Sequence, residues 1–227
     1  MKQFKKIALR LVCLLCVVGL FGFALPKTAE AAEFFDPYPL KWSDYSYYAN
    51  DDYSVQLKWI KNANVTDTKI TSNIPYALTI WRSTDHLTTV QTTSSTLNKV
   101  EFKMPTASEW ASMLNVSDTY STLGHTSIYL YPDGHLFTGY ADSAALSNGL
   151  IRNAVIYFNQ TSGRFTKYSN VQMRNLIAHE MGHALGFAHP DVSPNYDTNS
   201  IMLSGISTRV ALSGYDLDCF RNKYNAP

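Results

Sequence analysis

Apolar positions along the chain follow three spacings, and each predicts a different element. An unbroken apolar run at residues 11–25 follows a basic stretch and precedes Pro26 and the small residues of Ala29-Glu30-Ala31. That layout predicts a secretory signal peptide over residues 1–31, of the long basic bacterial type, because the run is short for a membrane span. Alternating or short apolar runs predict strands at 55–60, 99–104, 127–131, 135–140 and 154–158, with Pro132-Asp133-Gly134 as a turn. A helical period predicts three helices. Asn73 or Thr71 caps the first, with Pro75 in its first turn and Leu78 and Trp81 further along. Ser169 or Asn170 caps the second, whose apolar positions are Val171, Met173, Leu176, Ile177, Met181 and Leu185. The third opens at a capping-box spacing, Ser213 and Asp216, and runs through Leu217, Phe220 and Tyr224. Residues 32–40, with Pro37 and Pro39, read as an extended leader, and 190–200 as a polar loop.

Composition narrows the picture. The chain has 227 residues, 45% hydrophobic and 16% charged, which supplies a core and argues against disorder. There is no repeat and no low-complexity linker, so one domain over 41–227 is the simplest organisation. The net charge of +1 misleads, because five of the 19 basic residues and one of the 18 acidic ones lie in the first thirty positions. The remaining 14 basic and 17 acidic residues give about −3, in which nothing suggests a nucleic-acid or membrane-surface binder. Cys13 and Cys16 fall in the signal segment, so Cys219 is left without an intramolecular disulfide partner and reads as a small buried hydrophobe.

The chemistry is concentrated in the second helix. His179 and His183 stand four apart on one helical face, so both imidazoles reach a single ion. Glu180 is rotated by about 100° from His179, which sets its carboxylate beside the ion rather than on it. Gly186 lets the chain leave the helix sharply and return His189 as a third nitrogen ligand. Three protein ligands and an open position describe a catalytic zinc, with Glu180 as general base acting on the water that zinc acidifies. A surface helix with incidental histidines is the bland alternative. It does not explain a histidine placed after a helix-ending glycine, and the full pattern arises by chance in on the order of one in 10⁵ chains.

His179 to His189 resembles the metzincin zinc-peptidase motif, and Asn199-Ser200-Ile201-Met202 resembles the methionine turn of that family. Within it the chain is most similar to matrixins, including their small bacterial members. The helix ending in Trp81, the strand Ala154-Val155-Ile156-Tyr157-Phe158-Asn159 and the C-terminal helix from Leu212 to Tyr224 carry that likeness. The resemblance implies an α+β fold: a twisted, mostly parallel five-stranded sheet, an active-site helix, and a small C-terminal subdomain with the methionine turn at Met202 and a final helix. It implies one catalytic zinc, a protein or peptide substrate paired with an edge strand within 135–143, and a specificity pocket walled by 203–210, which Arg209 partly fills. Matrixins often hold structural calcium or a second zinc. Those ligands are not matched here, and His125, His135 and Asp133 are the nearest candidates. Pro190 replaces the usual serine, Ser204 stands where astacins have tyrosine, and no cysteine-switch propeptide is visible.

The expected protein is thus a secreted, monomeric zinc endopeptidase that binds no nucleic acid and, once cleaved, no membrane. Two alternatives remain open at this level: a non-catalytic extracellular zinc-binding module, against which the retained Glu180 argues, and an exopeptidase or hydrolase of a non-peptide amide. His86 reads as a surface or satisfied core residue, and Tyr215 as a candidate hydrogen-bond donor near the site.

Overall fold

Along the chain the elements are β1 (Lys41–Trp42), β2 (Tyr45–Tyr47), β3 (Tyr53–Lys61), α1 (Thr68–Arg82), β4 (Leu87–Gln91), β5 (Lys99–Lys103), α2 (Ala107–Leu114), β6 (Gly124–Leu130), β7 (His135–Leu136), β8 (Leu150–Phe158), α3 (Asn170–Ala184) and α4 (Gly214–Tyr224). A 3₁₀ turn at Arg164–Lys167 leads into α3. The structure, a computed structural model, describes residues 40–42, 45–47, 53–93, 98–114, 122–131, 133–137, 149–159, 164–190 and 197–224. Phe34–Pro227 makes one compact unit, and residues 1–33 lie outside the described residues.

Parallel ladders join β4 to β3, β3 to β5 and β5 to β8, while β6 runs antiparallel along the other side of β8. The short β1, β2 and β7 pair with β8, β3 and β6, giving a sheet of eight strands among the described residues. The expected count of five strands is therefore corrected. Strand β4 escapes the hydrophobic pattern because Leu87 alone of its five residues is buried. The strand expected at 135–140 shortens to His135–Leu136, and 138–140 lie outside the described residues. Helix α2 opens on a Thr106/Glu109 capping box: Thr106 N donates to Glu109 Oε2 and Glu109 N to Thr106 Oγ1, at 2.7 and 3.3 Å.

Helix α1 begins five residues before Asn73. Asp67 caps it, its Oδ1 accepting from Lys69 N and Ile70 N at 2.8 and 3.1 Å, so Thr71 and Asn73 lie inside the helix. Pro75 then sits mid-helix, where it withdraws one backbone donor. Helix α1 packs on α3, and α3 on β6 and β8. Between them lies the apolar core, where Trp59 meets Phe102 edge-on and Phe102 stacks with Phe158. Among the described residues no helix is long and apolar enough to cross a membrane.

Candidate metal centre

Helix α3 is fixed at both ends by its own sequence. Ser169 Oγ accepts from Gln172 N at 3.2 Å and Ser169 N donates to Gln172 Oε1 at 2.9 Å, a reciprocal cap that settles the start on Ser169. At the other end Gly186 has φ +87°, and a Cβ on it would meet the Leu40 carbonyl oxygen at 2.5 Å. Gly186 N donates to the His183 carbonyl and Phe187 N to the Gly182 carbonyl, at 2.8 and 3.0 Å, the pattern of a Schellman turn. Trp42 Nε1 and Tyr224 Oη take the Ala184 and Leu185 carbonyls, both at 2.9 Å, so the helix end buries no orphan acceptor there.

This turn returns His189 to the helix. The Nε2 atoms of His179, His183 and His189 form a nearly equilateral triangle with sides of 3.0, 3.1 and 3.1 Å. Among the described residues these three are the one group of His, Cys, Asp or Glu that can hold an ion. The triangle fits zinc: its corners lie roughly 1.8 Å from its centre, close to a zinc–nitrogen bond of about 2.0–2.1 Å, so the three nitrogens would hold one ion together. The outer ring nitrogens are oriented too. His179 Nδ1 donates to the Ile201 carbonyl at 3.0 Å and His183 Nδ1 to the Phe187 carbonyl at 2.7 Å, which turns each Nε2 lone pair inward. Burial, then the neighbouring His179 and His189 rings, hold His183 well below its ordinary pKa, in the neutral form a metal requires.

Met202 packs against Gly182 of the ligand helix. It is buried, and a Cβ on Gly182 would sit 2.1 Å from its Sδ and 2.7 Å from the Trp81 ring, so helix and turn touch only because residue 182 is glycine. Trp81 also donates Nε1 to the Ala178 carbonyl at 2.7 Å and stacks on Phe187. Asp216 locks the turn. Its buried carboxylate accepts from Ser200 Oγ, Ile201 N, Ser213 N and Ser213 Oγ at 2.5–3.0 Å. Through Ser200 Oγ, which accepts from Met202 N, it also braces the Ile201–Met202 peptide, whose carbonyl orients His179. The capping-box spacing pointed to Asp216 as a helix cap and did not reveal this second task.

Glu180 projects from the same helix against β6 and is 5% exposed. Thr126 Oγ1 donates to its Oε2 at 2.7 Å and lies 3.1 Å from its main-chain carbonyl. A Cβ on Gly124 would stand 2.6 Å from Oε1. Desolvation raises the Glu180 pKa from its ordinary 4.5 to about 7, and the Thr126 hydrogen bond opposes the rise. A cavity of about 640 Å³ opens over these groups, lined by Gly124, His125 and Thr126 on one side and by His179, His183 and His189 on the other.

Other candidates fall elsewhere. His125 Nε2 faces Ser127 Oγ at 3.3 Å, and Asp133 Oδ1 accepts from His135 N within the turn; the three are not gathered around an ion. Tyr215 lines a small separate space with Trp81, Phe187 and Met202, and His86 belongs to the entry to β4. Cys219 is buried, as its position predicts. From the segment after Met202, Ser204, Gly205 and Ile206 line the cavity while Arg209 does not. Asn175 ties that segment to α3, donating to the Arg209 carbonyl at 2.9 Å and accepting from Ser207 N at 2.7 Å.

No protein-family model and no curated protein matches the chain. Among solved structures it is similar to high choriolytic enzyme 1, a hatching-enzyme zinc protease from the medaka fish Oryzias latipes, at 13% identity and a TM-score of 0.43. That match covers 77% of this chain and 91% of the other. A likeness so distant carries no functional argument, and the arrangement of side chains has to carry it instead.

Proposed function

We propose that the chain is a secreted zinc endopeptidase of the matrixin-like metzincin type, exported by residues 1–31. The observation that carries this reading is the convergence of three oriented imidazole nitrogens beside a buried carboxylate in one cleft. Zinc held there supplies an acidified water and a Lewis acid for a peptide carbonyl. The three histidines bind as neutral ligands, kept inward-facing at His179 and His183 by the Ile201 and Phe187 carbonyls. Glu180 accepts a proton on its carboxylate and returns it to the departing amine. An extended peptide lies along the cleft beside β6; within the 135–143 segment expected to pair with it, Phe137 also lines the cleft, and 138–143 lie outside the described residues. Ser204 to Ile206 wall the pocket for the side chain after the cleaved bond, and Met202 is the methionine turn.

The deciding experiment is cleavage of a diverse peptide library by the chain, with and without a chelator, beside Glu180→Gln. Zinc content stays at one per chain in both forms, because Glu180 is not a ligand. Turnover falls by at least about 10²-fold, the low end of what a positioned base contributes. A variant as fast as wild type overturns the mechanism. If both forms bind zinc and neither cleaves, the protein is a zinc-binding interaction module.

A further inference from the structure

The contacts around Glu180 are unequal on its two oxygens. Oε2 accepts the Thr126 hydroxyl at 2.7 Å, while Oε1 accepts no hydrogen bond from the described residues. Gly124, two residues away on the same face of β6, comes so close that a Cβ would stand 2.6 Å from Oε1 and 2.9 Å from both Cγ and Cδ. The side chain is thus gripped from Cγ outward by one strand, which leaves it little freedom to rotate.

That strand is itself held firmly. Gly124 pairs with Phe158 and Thr126 with Ile156 in the ladder to β8. Just ahead of it, the fully buried Asn159 donates from N to the Leu123 carbonyl and from Nδ2 to the Thr122 carbonyl, both at 2.9 Å. The sheet therefore sets where the carboxylate points.

We propose that Thr126 is a positioning residue for Glu180: its hydroxyl occupies Oε2 and, with Gly124, holds the carboxylate so that Oε1 is the oxygen that takes the proton. This rests on the peptidase reading above. The Thr126 hydroxyl bonds, among the described residues, to Glu180 alone, so its effect passes through Glu180.

The test compares Thr126→Val, which keeps the shape and removes the hydroxyl, with Thr126→Ser, which keeps the hydroxyl, in the zinc-loaded chain. Thr126→Val lowers kcat about tenfold, with KM, zinc content and melting temperature close to wild type, and Thr126→Ser restores kcat to within about threefold. In a Glu180→Gln background Thr126→Val has no further effect on the residual rate. An unchanged kcat in Thr126→Val, an equal loss in Thr126→Ser, or the same fold-loss with and without Glu180 overturns the proposal. If wild type cleaves nothing, the peptidase reading fails, and the contact is read in the metal-free chain instead. There the ¹³C carboxyl resonance of Glu180, identified by its absence in Glu180→Gln, moves in Thr126→Val and returns in Thr126→Ser; a resonance unmoved by valine overturns the positioning role.

Discussion

The two walls of the cleft hold their groups in different ways. On one wall the ligands His179, His183 and His189 come from a helix and its terminal turn, within eleven consecutive residues, and Phe187 in that same turn supplies the carbonyl for His183. On the other wall Thr126 and Gly124 reach Glu180 from a strand 54 and 56 positions earlier in the chain. Gathering the ligands is thus a local property that survives small shifts between sheet and helix. Aligning the base is a tertiary property and depends on that spacing to a fraction of an ångström. Metal binding and turnover should therefore be separable by mutation, wall by wall.

The largest effect breaks the ligand wall. His183→Ala removes one of three nitrogens, so metal and activity vanish together, as measured by elemental analysis after dialysis beside a peptide assay. A variant that keeps zinc yet loses turnover would place His183 on the other side of the comparison. Asp216→Ala should weaken the same wall from beneath. It strands the Ser200, Ile201 and Ser213 donors and, through Ser200 Oγ, frees the Ile201–Met202 peptide whose carbonyl orients His179. The expected cost is about 3 kcal/mol of stability and roughly 10- to 100-fold in zinc affinity, read by urea unfolding and competitive chelation. Thr126→Val, on the opposite wall, should leave zinc affinity unchanged.

Legibility in the sequence follows the same division. The helix cap at Ser169, the stop at Gly186 and the histidine spacing are short-range signals, and the arrangement around the triad could be drawn from them. The capping box at Ser213 and Asp216 was visible for the same reason. Thr126 had no such signal, because its partner is set by how β6 lies across α3, and the strand expected at 127–131 began beyond it. Pro75 misplaced the start of α1, since the Asp67 side chain outweighs a proline that the helix interior tolerates. Strand β4 went unseen because it is nearly all polar and takes its place from pairing with β3 rather than from burial.

The smallest effect measures how deeply the strand wall buries Glu180 and is best read in metal-free protein. Folding raises the Glu180 pKa from 4.5 to about 7. Between those values the folded chain keeps a proton that the unfolded chain has released, so this group's contribution to stability falls as pH rises through that window. His183 acts in the opposite sense: its folded pKa lies well below 6.5, so its contribution recovers as pH climbs toward that value. Wild type shows the two partly cancelling, whereas Glu180→Gln keeps only the rising limb. The stability of Glu180→Gln relative to wild type should therefore grow from near pH 4.5 and level off above about 7, reaching on the order of 2 kcal/mol. Urea unfolding of both metal-free chains at pH 5 and pH 8 measures the gap. If it is the same at both values, β6 does not bury the carboxylate, and the contrast between the two walls collapses.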